Sequence, residues 1–506
     1  MKRNERKVGA ILSYFVIVLN MVIGLIYTPY LTRMLGQAEY GLYSLIGSII
    51  SYLTVLDFGL GNAIIIYTTK YKEKKDKDKE RKLHGNIFII YCAISVITVI
   101  LGAILYSSAD KIFANSMGAE EIYKAKIMII ILIFNLAVSF PFSVFSSIIT
   151  AYEKFVFAKI VNIIRIILNP LVMILLLNFG FRSIALVIVN TVFNLLTLII
   201  NTIYCFTKLG IRLNFGRVEK GVVKEISVYS FYIFLNIIID KINWKVDQFI
   251  LGTFVGTVVV AIYSIAVQLN DMYMSLATTI STVLLPKVTA MEANNEADKK
   301  FSEEFVKIGR IQYLLLGLFI TGFVIYGMQF ITIMWVGPEY KESFYIGCIL
   351  MIPFTFSLIQ NIGINILQAK NKYKYRTIIL LFTAILNLAI SIPLAKNYGG
   401  IGTAVGTAIS IILGDVILLD IYYYKKIHLD IPKFWKEIIK ITITIVIVML
   451  LGIGITKIIQ ITTIPMLIIQ ILIYTILYIT VIWKFAMNSY EKKLILSPIL
   501  KLKEKM

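Results

Sequence analysis

The chain has 506 residues, 58% of them hydrophobic, with a mean hydropathy of +0.84 and a net charge of +21. Apolar runs of about 20 residues recur throughout, which excludes a soluble domain and indicates a polytopic membrane protein. The basic residues lie in short loops between those runs, so the charge reflects the positive-inside rule rather than a folded nucleic-acid-binding domain.

The start, MKRNERK, precedes an apolar run from Val8 to Tyr30. That run is too long for a signal peptide and lacks a small-residue cleavage site, so it reads as the first spanning helix. Fourteen spans follow in all: 8–30, 40–69, 85–107, 124–150, 155–178, 183–206, 226–254, 257–286, 307–335, 343–369, 375–396, 401–424, 436–457 and 463–484. Pro141, Pro170, Pro353 and Pro393 fall inside spans, where kinks are tolerated. The fold class expected is all-α.

With the N-terminus inside, the inner segments carry 39 Lys and Arg and the outer segments 8. That asymmetry places both ends in the cytoplasm. The sign-alternating run 70–82, KYKEKKDKDKERK, reads as a solvated inner loop within reach of anionic lipid heads. Cys92, Cys205 and Cys348 are isolated, and His84 and His428 fall in inner loops. No metal site, disulfide framework or cofactor is expected from them.

An internal repeat runs through the first twelve spans. Gly36, Tyr43 and Ser44 match Gly256, Tyr263 and Ser264 at an offset of 220. Ala151, Lys154 and Asn169 match Ala369, Lys372 and Asn387 at 218, and Asn178 and Gly180 match Asn397 and Gly399 at 219. Six spans per unit is an even number, so the repeats are parallel. The domains expected are an N-terminal lobe at 1–208, a linker at 209–225, a C-terminal lobe at 226–426 and two additional helices with a tail at 427–506.

The seventh span, YSFYIFLNIIIDKINWKVDQFILGTFVG (229–256), is apolar enough to cross yet holds Asp240, Lys241, Lys245 and Asp247. At helical spacing Asn236, Asp240, Asn243 and Asp247 fall within an arc of about 60°, with Trp244 and both lysines on the adjoining flank. A charge at bilayer depth costs at least ~2.5–3.5 kcal/mol, so this side should face protein, water or a ligand. Polar stripes recur elsewhere. Asn162, Arg165 and Asn169 share a face of the fifth span, and Asn190, Asn194, Thr197 and Asn201 a face of the sixth. Gln268, Asp271 and Ser275 lie on the eighth, Asn361 and Asn365 on the tenth, and Asp57 at mid-depth in the second. For a single Asn, an interhelical hydrogen bond is the ordinary reading. Stripes from many helices point to a cavity. Its cations, Arg165, Lys241 and Lys245 with Arg33 at the outer mouth, suit a phosphate-bearing substrate. Asp57, Asp240, Asp247 and Asp271 are left to balance charge or bind a coupling cation.

PYLTRMLGQAEYGLYSL (29–45), LDFGLGNAIIIYTTKY (56–71), AYEKFVFAKIVNIIRIILNP (151–170) and DKINWKVDQFILG (240–252) carry a resemblance. The chain resembles the Wzx-type polysaccharide-biosynthesis flippases of the multidrug/oligosaccharidyl-lipid/polysaccharide (MOP) exporter superfamily, to which MurJ also belongs. The resemblance implies a MATE-like V of two six-helix lobes, alternating access and export of undecaprenyl-pyrophosphate-linked oligosaccharide across the cytoplasmic membrane of a bacterial cell. Its implied partners are that substrate, membrane lipids and polysaccharide-biosynthesis enzymes. It implies a pyrophosphate-binding role for cationic cavity residues, here Arg33, Arg165, Lys241 and Lys245. The alternatives are a cation-coupled drug exporter of MATE type and a flippase for lipid II or teichoic acid precursors. A membrane glycosyltransferase is disfavoured, because the longest outer loop, roughly Ser108 to Tyr123, offers little room for a catalytic site.

Overall fold

The computed structural model describes residues 2–216, 220–294, 296–370, 372–494 and 496. Every element among them is helical, and the backbone contacts divide the chain into two units, 1–261 and 262–506.

The first unit begins with α1 (Lys2–Leu53), which continues through Pro29 and bends only at Gly36. The expected loop between the first two spans is therefore a kink in one long helix. The second span, in contrast, is not continuous. A 3₁₀ turn at Thr54–Asp57 leads into Phe58 and Gly59, both with positive φ, before α2 (Leu60–Glu73) resumes. α3 (Lys77–Phe113) is capped by Asp76, whose carboxylate accepts from the Lys79 amide. α4 (Ala119–Ala151) follows after five residues, so the connection expected over 108–123 is far shorter than the sequence suggests. α5 (Phe155–Asn178), α6 (Ser183–Thr207) and α7 (Lys220–Phe254) complete the unit. α4 packs along α3 and α6, while α7 packs on α1, α2 and α3. A core of Ile64, Tyr91, Phe140, Phe145 and Ile148 joins α2, α3 and α4, and the buried Cys205 belongs to it as an apolar filler.

The second unit takes in most of α8 (Thr257–Ala293), then α9 (Asp298–Gln329), α10 (Glu342–Leu358) and α11 (Asn361–Ala369). α10 and α11 form a bent pair at 40°, broken at Ile359 and Gln360 rather than at Pro353. α12 (Tyr373–Ile411) bends at Gly399 and runs on through π-helical turns at Ile412–Leu418 and Tyr423–Ile427, with α13 (Leu419–Tyr422) between them. α14 (Ile431–Ile458), capped by Asp430, and α15 (Ile464–Phe485) pack on each other and on α9. Beyond α15 the chain is held by a buried charge cluster. Arg310 of α9 donates from Nε to one Glu491 oxygen (2.8 Å) and from Nη2 to the other (3.1 Å). Its Nη1 donates to Glu437 of α14 (2.8 Å).

Ten helices among the described residues are long and apolar enough to cross a membrane, or eleven with the bent pair counted as one span. Fourteen were expected. Two of the ten, Ile11–Glu73 and Tyr373–Ile427, each contain two expected spans merged across Gly36 or Gly399. α7, many of whose side chains lie outside the described residues, is not among them. The helices continue through Pro141, Pro170 and Pro393, so the prolines do not mark the breaks.

The repeat has a backbone counterpart. Gly36 and Gly256, matched at offset 220, both have positive φ (77° and 130°), as do Gly180 and Gly399 (87° and 56°). A side chain is strained there, which is why glycine recurs at these turns. A polar link recurs too. Asn169 donates to Asn190 between α5 and α6 (2.7 Å), and Thr407 donates to Asn387, the counterpart of Asn169, across the Gly399 bend (3.4 Å).

Candidate functional site

The deep polar residues of the first unit form strings rather than isolated points. The half-buried Arg165 of α5 donates from Nη1 to Asn194 Oδ1 of α6 at 3.4 Å. Asn194 in turn donates through Nδ2 to Asn135 Oδ1 and Ser139 Oγ of α4, both at 2.7 Å. One turn along α5, the Asn169–Asn190 bond continues to Tyr43 of α1, whose hydroxyl accepts from Asn190 at 2.9 Å. Two amide strings thus tie α5 to its neighbours, and Arg165 ends the first. Among the described residues no carboxylate pairs with this guanidinium. An arginine in an apolar span is costly, and a long bond to a neutral amide offsets little of that cost.

Asp57 occupies the break in the second span. Its carboxylate accepts from the Tyr91 hydroxyl of α3 at 2.6 Å. Phe58 beside it stacks on Phe234 of α7, with ring centroids 4.5 Å apart. The break exists because LDFGLGN places a glycine where left-handed backbone is needed, and Asp57 is fixed by a phenol rather than by a lysine. Tyr91→Phe should leave the carboxylate short of its donor and lower stability by about 1–3 kcal/mol, read as an earlier thermal transition of the purified protein. An unchanged transition would show that Asp57 does not depend on Tyr91.

On α7, Lys241 and Lys245 are one turn apart and half-buried, Asn243 is half-buried, and Asp247 is buried at 7% exposure. The side chains of Asn236, Asp240 and Trp244 lie outside the described residues. Asn162 is half-buried on α5, and Arg33 is exposed on α1. Arg165 and both lysines fall in one unit, whereas the sequence repeat puts α5 and α7 in different lobes. The second unit holds the remaining candidates. Asp271 is exposed and Gln268 half-buried on α8. Asn361 begins α11 after the break in the tenth span, and Asn365 donates to the Ser281 carbonyl at 2.7 Å. Its bond makes Asn365 an interhelical link. Sequence reading missed Asn135, Ser139 and Tyr91, and took Tyr43 as a repeat position without a polar role. Asn135 and Ser139 are four residues apart on α4, and that spacing was the signal available.

The sequence profile of the polysaccharide biosynthesis protein family matches residues 7–292. The chain belongs to that family. No curated protein sequence matches it. Among solved structures, the lipid II flippase MurJ in an inward closed conformation is similar over 97% of this chain and 99% of its own, at 18% identity and a TM-score of 0.70. An inward-facing multidrug resistance MATE family transporter of the MOP superfamily is similar over 83% of this chain and 95% of its own, at 13% identity and a TM-score of 0.64. A MOP superfamily transporter from Pyrococcus furiosus, described as having a binding pocket of reverse polarity, is similar over 84% of this chain and 96% of its own, at 13% identity and a TM-score of 0.58. At these identities the likeness fixes the fold. This member of the polysaccharide biosynthesis family has the MOP-superfamily fold shared by MurJ and the MATE transporters.

Proposed function

We propose that the protein is a flippase that moves a lipid-linked oligosaccharide, carried on undecaprenyl pyrophosphate, outward across the cytoplasmic membrane by alternating access. Arg165 is the observation that supports this most directly. It is a deep cation that, among the described residues, is held by an amide oxygen and no carboxylate, so it offers its remaining donors to an anionic group. Lys241 and Lys245 add two ammonium groups on α7, and Arg33 adds a cation on α1. Asp57, Asp240, Asp247 and Asp271 are proposed to balance charge or hold a coupling cation. Asn162, Asn236, Asn243, Trp244, Gln268, Asn361 and Asn365 are proposed to meet the sugar or line its path. Lobes 1–208 and 226–426 would be the moving bodies, joined by 209–225, with 427–506 as an addition. Reconstituted protein should move a fluorescent lipid-linked oligosaccharide across vesicle membranes. Efflux of lipophilic cations with no movement of that lipid would favour drug export instead.

Both termini are proposed to be cytoplasmic. Cysteines introduced as Lys75→Cys and Lys433→Cys, at exposed positions, should react with an impermeant maleimide only from inside. Asn115→Cys and Lys341→Cys should react only from outside. The background needs Cys92→Ser and Cys348→Ser, while Cys205 is buried and can stay. Reaction of Asn115→Cys from the inside alone would overturn this orientation.

A further inference from the structure

At the end of the first unit where α2 turns into α3 lies a cavity of about 380 Å³. Five cations line it: Lys72, Lys75, Lys77, Arg81 and Arg212. Its one lining carboxylate, Glu80, is already engaged. Glu80 is 6% exposed and accepts from the Tyr152 hydroxyl at 2.7 Å. Burial, and then this bond, hold the Tyr152 phenol above its usual pKa, so it remains a donor. Lys72 lies 4.0 Å from the centroid of the same ring. Asp76 and Asp78, the nearest acids in the turn, are used elsewhere: Asp76 caps α3 and Asp78 pairs with Lys82 at 2.6 Å. Among the described residues no ion pair engages Lys75, Lys77 or Arg212.

The cavity is a built feature. The segment 208–216 is strapped across its side, with the Asn214 amide donating to the Arg81 carbonyl at 3.1 Å and Asn86 Nδ2 donating to the Gly216 carbonyl at 2.7 Å. Gly85 permits that approach, because a Cβ there would sit 2.2 Å from the Asn214 carbonyl oxygen. The strap contributes Leu209, Gly210, Ile211 and Arg212 to the cavity lining. His84 also lines the cavity and is fully buried. Its Nε2 is 2.8 Å from Thr68 Oγ1, and its Nδ1 has no hydrogen-bond partner. A fully buried, unpartnered ring nitrogen so close to the cavity is unusual, because buried polar atoms are nearly always paired.

We propose that this cavity binds the phosphate of an anionic ligand, at a site separate from the α5 and α7 residues assigned to transport. Phosphate oxygens match the guanidinium forks of Arg81 and Arg212 and the ammonium groups of Lys75 and Lys77. Two sources share this chemistry: a membrane lipid headgroup, since the cavity lies at the basic end of the spans, and a soluble phosphorylated compound. The test uses the full chain in nanodiscs of phosphatidylcholine, titrated with inorganic pyrophosphate by calorimetry. Saturable binding that weakens with salt is expected. The Lys75→Gln, Lys77→Gln, Arg212→Gln triple variant, with an unchanged melting temperature, should bind at least about tenfold more weakly, because three charge-assisted contacts are lost. Repeating the titration in nanodiscs containing phosphatidylglycerol separates the sources. Suppressed pyrophosphate binding there assigns the site to lipid headgroups, and undiminished binding assigns it to soluble phosphates. A triple variant that binds as wild type does, or a wild type that neither binds pyrophosphate nor retains phosphatidylglycerol through detergent extraction, overturns the proposal.

Discussion

Replacing Lys241 and Lys245 together by glutamine should abolish export while leaving expression and membrane insertion intact. The two ammonium groups lie one turn apart on α7, close enough to serve one pyrophosphate. Hydrogen bonds to charged groups contribute about 1.5–3 kcal/mol each. Losing two of them should slow flipping by roughly a hundredfold or more, at about 1.4 kcal/mol per factor of ten. Arg165→Lys should impair transport as well, because a point charge does not reproduce the guanidinium fork and loses its contact with Asn194. If the lysines instead serve only to pair with acids of the same helix, neutralising them strands Asp240 and Asp247 and the protein misfolds. Neutralising all four charges would then restore folding. The decisive measurement is flipping of labelled lipid-linked oligosaccharide beside a thermal-stability assay. A stable, fully active quadruple-neutral variant would exclude the pyrophosphate role.

Removing Glu491 should destabilise the second unit more than any surface change. Arg310 is 7% exposed at its side chain and Glu491 3%, and Arg310 also donates through Nη2 to the Ala486 carbonyl at 3.0 Å. Glu491 has a second duty, since its carboxylate accepts from the Asn488 amide while Asn488 Oδ1 accepts from the Glu491 amide. Glu491→Ala leaves a buried guanidinium with the partly exposed Glu437 and the Ala486 carbonyl, a loss of about 3–5 kcal/mol for breaking a buried pair. The readouts are a lower unfolding temperature and proteolysis after α15. Arg310→Met with Glu491→Leu should recover much of the loss, because apolar residues of similar volume avoid the desolvation cost. Glu437 does not block that recovery, since it is 26% exposed and also pairs with Lys440. A Glu491→Ala protein that melts where wild type does would show the cluster to be dispensable.

The sequence by itself determined the class of this protein and its internal repeat. Apolar runs long enough to cross a bilayer have few structural options, so an all-helical membrane fold follows from composition. The glycines at 36, 256, 180 and 399 were legible only as matched positions of the repeat, and the structure adds that all four have positive φ, which excludes most side chains. The polar stripes of α5 and α6 were legible as well, because helical spacing puts them on one face. Which residue each stripe meets was not legible. Asn194 with Asn135, Asp57 with Tyr91 and Arg310 with Glu491 join residues 59, 34 and 181 positions apart. Periodicity describes one helix at a time and carries no record of its neighbours. The strap over α3 and the basic cavity beside it were likewise decided by packing. They depend on a backbone approach, Asn214 against Gly85, that exists only once separate segments have been brought together.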